Sequence, residues 1–252
     1  MPDEREMPFL DHLEELRMRL IVCLATLGAT TIAGFFLSPP VLDWLVIPLK
    51  AFQANTKLYF FGVAGGFLVR FKVGLALGFL IALPILFYEF WAFVSPALTR
   101  KEKSNILPAV VASTILFLSG ILFCYYAILP LGIKMLLVFG TQQVEPLLEA
   151  NGYLSFVFWF MVACGFIFEV PVVIFFLVRL GVVTPQFLRK QRRYAIVIAF
   201  IVAALTPTQD ILSLFIQAGI LIILYEVGIW TSYLAVKRKE RAVVQAGEVR
   251  AG

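Results

Sequence analysis

The chain has 252 residues, 61% of them hydrophobic and 15% charged, with a formal net charge of +5 at pH 7. That apolar share exceeds the roughly 45 to 50% of soluble domains and excludes a water-soluble globular protein. The charges cluster between apolar runs of helix-spanning length, which excludes a β-barrel built from alternating segments of about ten residues. The basic residues sit in short loops without a stripe or aromatic platform, so nucleic acid is not an expected partner.

Pro8 to Arg19, PFLDHLEELRMR, precedes the first apolar run. Phe9, Leu13, Leu16 and Leu20 recur at helical spacing, which predicts an amphipathic cytoplasmic helix over residues 8–19 leading into the membrane. Asp11 and Glu15 are like-charged neighbours four residues apart, and Arg19, four residues beyond Glu15, relieves part of that repulsion. Two readings stay open for this stretch: a solvated collar that anchors the first span, or part of a binding surface. No cleavable signal peptide is expected, because the residues before the first apolar run are at least as acidic as they are basic.

Leu20 to Leu37 is the first predicted span, ended by Ser38-Pro39-Pro40. Val41 to Lys72, with Pro48, Asn55 and the Gly62 to Gly66 cluster, is expected to hold short helices on the membrane surface. Val73 to Val94 is the second span; Pro84 inside it invites a kink, and Glu89 lies near its far end. After the polar loop Ser95 to Lys103, Ile106 to Leu129 forms the third span, with Pro130 just past its end. A mixed loop, Leu131 to Gly152, leads into the fourth span, Tyr153 to Val178, which contains Glu169 and Pro171. A basic loop with Arg179, Arg189, Lys190, Arg192 and Arg193 follows. The fifth run, Tyr194 to Leu205, has only 12 residues and reaches about 18 Å as a helix, so it requires a thinned bilayer or shielding neighbours. The turn Thr206 to Asp210 opens the sixth span, Ile211 to Ile229. Residues 1–236 are thus expected to form a single domain, and residues 237–252 a charged, disordered cytoplasmic tail.

Six spans place both termini on one side. With the termini inside, all but five of the 21 Lys and Arg residues are cytoplasmic, the exceptions being Lys50, Lys57, Arg70, Lys72 and Lys134. That asymmetry assigns the N-terminus to the cytoplasm.

Few residues offer chemistry. Cys23, Cys124 and Cys164 are scattered through apolar runs without CxxC spacing and read as packing thiols. His12 is the single histidine, which argues against multi-histidine metal sites, and no metal or other cofactor is expected. The sequence has no GxxxxGK[ST] phosphate loop and no HExxH, so any energy input comes from a partner or the membrane potential. Glu169 falls inside the hydrocarbon region, where a carboxylate costs on the order of 2.5 kcal/mol or more unless it faces an interior or a wet cavity. A locally paired structural carboxylate is the other reading. Glu102, beside Arg100, Lys101 and Lys103, reads on its own as a surface charge on the same face as Glu15. Glu89 and Glu226 read as interfacial carboxylates, and Asp210 as a cap of the sixth helix.

PFLDHLEELRMRL before the first span, FVSPALTRKEK after the second, FEVPVV in the fourth and TPTQD before the sixth, in that order, resemble the TatC family. TatC is the core receptor subunit of the twin-arginine protein translocase. The resemblance covers Pro8 to Tyr233 and implies an all-α cytoplasmic (inner) membrane protein, with six transmembrane helices in a concave, glove-like bundle. It also implies a receptor and scaffold, not an enzyme, that binds twin-arginine signal peptides. Together with single-span TatA- and TatB-type partners, and in homo-oligomeric complexes within the lipid membrane, it would export folded proteins using the proton-motive force.

By the same resemblance Glu15 and Glu102 contribute to the site for the signal's arginines, with Phe93 beside them and Arg17 in support. Glu169 faces the concavity, Pro48 and Pro84 match functionally important prolines, and Asp210 matches the acid before the last span. Glu89 departs from the glutamine usual at its position. An exposed arginine pair contributes only about 0 to 1 kcal/mol, so affinity requires partial desolvation and a second, apolar anchor along the membrane helices. The outer surface of the fifth and sixth runs is expected to accept a partner's transmembrane helix. The alternative reading is an ion-coupled small-solute secondary transporter that uses Glu169 as a protonatable ligand.

Overall fold

The computed structural model describes residues 9–50, 58–94, 106–138, 148–204 and 211–251. Helices account for nearly all of them: α1 (Phe9–Phe36), α2 (Ser38–Lys50), α3 (Gly65–Val94), α4 (Ile106–Phe123), α5 (Leu129–Val138), α6 (Ala150–Phe168), α7 (Val170–Arg179), α8 (Pro185–Lys190), α9 (Arg192–Ala204) and α10 (Ile211–Ala251). Among the described residues the extended backbone is limited to one isolated bridge, Tyr59 with Glu149. Five stretches of the described residues are long and apolar enough to cross a membrane. The remaining expected span, the fifth run, is α9, whose 13 residues reach only about 20 Å.

Proline explains where the long helices change. Pro130 brings no N–H to the ladder and its ring collides with the carbonyl four residues earlier. The backbone answers with a π-helical turn over Cys124–Ile128, closed by Leu129 N–H donating to Cys124 O, so the third span continues without a break. Pro171 acts similarly on the fourth. The helix tightens at Glu169, whose N–H donates to Phe166 O at 3.1 Å, and restarts as α7 with Val173 N–H on Glu169 O at 3.0 Å. Pro84, in contrast, lies within a single uninterrupted helix.

The chain divides into two compact units, residues 1–114 with 147–158, and residues 115–146 with 159–252. In the first, α1 packs along α3, and Gly34, Gly74 and Gly78 set the approach. A Cβ on Gly78 would come 2.6 Å from the Thr31 backbone, and one on Gly74 within 2.7 Å of Phe35 Cα, so these helices meet backbone to backbone. α2 packs on α3 and is tied to α6, where the Tyr153 hydroxyl donates to Leu45 O at 2.9 Å beside the buried Pro48. Tyr59 and residues 148–150 exchange two backbone hydrogen bonds, and Gly62, at φ 79°, makes the turn into α3.

In the second unit α10 packs on α7 and α9. Gly228 lets Ile174 and Pro171 approach, with a built Cβ only 2.9 Å from Ile174. Gly120 and Gly165 do the same for Phe168 and Phe117, and Cys124 and Cys164 are free and buried there as packing thiols. After α7 the chain turns at Gly181, φ 75°, and Thr184 caps α8 by accepting from Phe187 N–H at 3.2 Å.

Three boundaries differ from expectation. The amphipathic stretch and the first span are one continuous helix, α1. The second span begins at Gly65, before Arg70 and Lys72, because both cations have partners: Arg70 lies over the Phe35 ring, and Lys72 donates to Ser155 Oγ at 2.6 Å. Finally, α10 runs on to Ala251, past the expected end of the sixth span at Ile229, through a stretch rich in Lys, Arg, Glu and Ala, all good helix formers.

Candidate functional site

The amphipathic start of α1 lies beside the end of α3, and the contacts there build a connected polar cluster. Arg19 Nε and Nη2 both donate to Glu15 Oε1, at 2.9 and 2.6 Å. The helical spacing of four residues makes that pair local. The third contact is not local, since Arg19 Nη1 donates to Glu89 Oε2 at 2.8 Å, from one helix to another. His12 completes the cluster. Its ring stacks on Phe93 with centroids 4.4 Å apart and planes 12° from parallel, and its Nδ1 lies 3.8 Å from Glu15 Oε2.

The side chains of Arg19, Glu15 and Glu89 are only 25, 23 and 15% exposed, so these ionic contacts are partly desolvated and stronger than a surface pair. Two carboxylates share one arginine, leaving the trio one negative charge in excess. Glu15 Oε2 accepts no hydrogen bond among the described residues. Arg17 is exposed and makes no ion pair among them. Glu15 and Phe93 are therefore brought into one cluster, and Arg17 stands off it. Glu102 and Asp210 lie outside the described residues.

The residues missed by sequence reasoning are His12, Arg19 as a bridge, and Glu89. The Glu15 to Arg19 spacing was a visible signal; the pairing with Glu89 had none, because 70 positions separate the partners.

In the second unit Glu169 is 7% exposed at the junction of α6 and α7, a buried carboxylate at a proline-induced break. At the start of α9, Arg192 Nη2 donates to Glu226 Oε2 at 2.6 Å, and the Tyr225 hydroxyl donates to Leu188 O at 2.9 Å, which fixes α8 and α9 to α10. Among the described residues no three His, Cys, Asp or Glu side chains converge in a way that would hold a metal ion.

Long apolar helices, a proline-broken span with a buried carboxylate, and a carboxylate-rich cluster at the end assigned to the cytoplasm define a multi-pass, all-helical membrane protein. The sequence profile of the family described as Sec-independent protein translocase protein (TatC) matches residues 11–219, and the chain belongs to that family. It is 37% identical over 247 residues to the Sec-independent protein translocase protein TatC of Desulforapulum autotrophicum, covering 98% of this chain and 92% of that one. To the TatC of Aquifex aeolicus it is 36% identical, with 93 and 98% covered. Among solved structures it is similar to the crystal structure of the twin arginine translocase receptor TatC, with a TM-score of 0.73, 36% identity, and 89% of this chain and 99% of that one covered. The family assignment removes the ground for the solute-transporter alternative and identifies a translocase component, not an enzyme.

Proposed function

We propose that this chain is the receptor for signal peptides carrying consecutive arginines, and that Glu15, Phe93 and Glu102, supported by Arg17, receive those arginines at the cytoplasmic surface. The observation that carries the reading is the excess negative charge of the partly desolvated Glu15, Glu89 and Arg19 trio, at the join of two membrane helices. A guanidinium meets a carboxylate there with its planar fork, which lysine cannot copy, and the low exposure raises the value of the contact. The signal's apolar segment packs along the membrane helices as a second anchor.

TatA- and TatB-type single-span proteins are the partners in this reading, in a homo-oligomeric assembly driven by the proton-motive force. The short α9 supports it: Val197, Ile198 and Ile201 are all more than half exposed on a helix too short for an unperturbed bilayer, and Phe215 and Ile223 of α10 are likewise exposed. A partner helix with a polar group fits the thinned region. Pro48, Pro84 and Asp210 are assigned supporting roles, and Glu169 the buried acid of the membrane interior.

The test is photo-crosslinking of an Arg-Arg signal peptide to the protein in membranes. Glu15→Ala and Glu102→Ala are expected to reduce the crosslink several-fold, and a Lys-Lys signal to crosslink poorly to the parent protein. Unchanged crosslinking in both variants rejects the site. Cysteine crosslinks that place partner helices only against α1 reject the partner surface.

A further inference from the structure

The inference deepens the receptor reading and rests on Glu15 receiving a signal arginine. In the free protein that carboxylate already holds a guanidinium: Arg19 reaches Glu15 Oε1 through both Nε and Nη2. An incoming arginine meets a competitor of its own chemistry four residues away. Expelling Arg19 into the open would leave an arginine unpaired in partly desolvated surroundings, which is costly. Arg19, however, holds a second acceptor at the same time, Glu89 Oε2 at 2.8 Å, on a different helix and therefore independent of how Glu15 moves. Among the described residues the remaining Glu15 oxygen, Oε2, accepts no hydrogen bond and lies 3.8 Å from His12 Nδ1.

We propose that Arg19 is a resident guanidinium which the signal's arginine replaces on Glu15, and that Glu89 is the positioning residue that retains Arg19 during the exchange. The count of charges agrees: two carboxylates and one arginine before binding, two carboxylates and two arginines after it. No proton or bond changes hands. The same trio, read only as a clamp of α1 on α3, would make Arg19 and Glu89 equivalent, since removing either end opens the clamp. Exchange makes them opposite. Without the Glu89 charge, Arg19 falls back on Glu15 and competes harder; without Arg19, nothing competes and Glu89 has no task.

The experiment measures binding of a fluorescent synthetic Arg-Arg signal peptide to the purified protein in lipid nanodiscs, with thermal unfolding as the check on folding. Glu89→Gln, which keeps shape and a hydrogen-bond acceptor, is expected to weaken binding about tenfold, the effect of losing one charged hydrogen bond. Arg19→Gln is expected to bind at least as tightly as the parent, and Arg19→Gln combined with Glu89→Gln to recover parental binding within about threefold, since one contact is measured against another. Binding of Glu89→Gln within twofold of the parent, or a double variant as weak as Glu89→Gln alone, overturns the exchange. Glu15→Ala separates the levels. If it abolishes binding while Glu89→Gln does not alter it, only the exchange fails; if Glu15→Ala binds normally, the receptor site itself fails.

Discussion

Tyr153 is the clearest case of one atom holding two elements: its buried hydroxyl donates to Leu45 O across 108 positions of sequence. Tyr153→Phe keeps the ring and removes only that bond, so unfolding in detergent should lose about 0.5 to 1.5 kcal/mol, the net worth of one such hydrogen bond. A destabilisation near zero would mean that the carbonyl is satisfied equally well without it. At this scale legibility depended on separation along the chain. Glu15 and Arg19 were readable as a pair because helical spacing fixes their proximity in advance, and Phe93 was readable through the family motif. Glu89 looked like a carboxylate at the membrane interface until α3 delivered it to Arg19. His12, dismissed as too solitary to bind metal, acts through its flat ring instead, stacked on Phe93.

Elements were legible where hydrophobic runs were long and were misjudged where charge interrupted them. Arg70 and Lys72 made the start of α3 look like a surface loop, yet a phenyl face and a serine hydroxyl accept them within the helix. The break at Glu169 and the π-helical turn at Cys124–Ile128 were foreshadowed by Pro171 and Pro130, although the sequence could not say which proline would alter the helix and which, like Pro84, would not. The packing of α1 on α3 was not legible, because glycine counts do not reveal which glycines face a partner. Gly78 and Gly28 provide the contrast. A Cβ at Gly78 meets the Thr31 backbone at 2.6 Å, whereas Gly28 has nothing within 4 Å. Gly78→Ala should therefore destabilise by about 1 to 3 kcal/mol through forced separation of backbones. Gly28→Ala should be neutral or gain up to about 1 kcal/mol from helix propensity. Thermal unfolding of both in the same detergent decides it, and equal effects would refute the assigned packing.

Over the whole molecule the charge asymmetry, not any contact, orients the chain. The positive-inside asymmetry assigns the basic residues after α7, and with them the N-terminal stretch that carries Glu15 and Arg19, to the cytoplasm. Two exposed valines report on this without disturbing packing: Val63 before α3 is fully exposed, and Val182 in the turn after α7 is 66% exposed. In a background with Cys23, Cys124 and Cys164 replaced by alanine, Val63→Cys should react with a membrane-impermeant maleimide in intact cells. Val182→Cys should react only after permeabilisation. The physical reason is that Arg189, Lys190, Arg192 and Arg193 follow Val182 within a few residues and resist translocation, whereas the segment around Val63 has only Lys57, Arg70 and Lys72 nearby. The reverse labelling pattern would place the Arg19, Glu15 and Glu89 cluster on the outer face, where a signal peptide awaiting export could not reach it, and would overturn the receptor reading together with the topology.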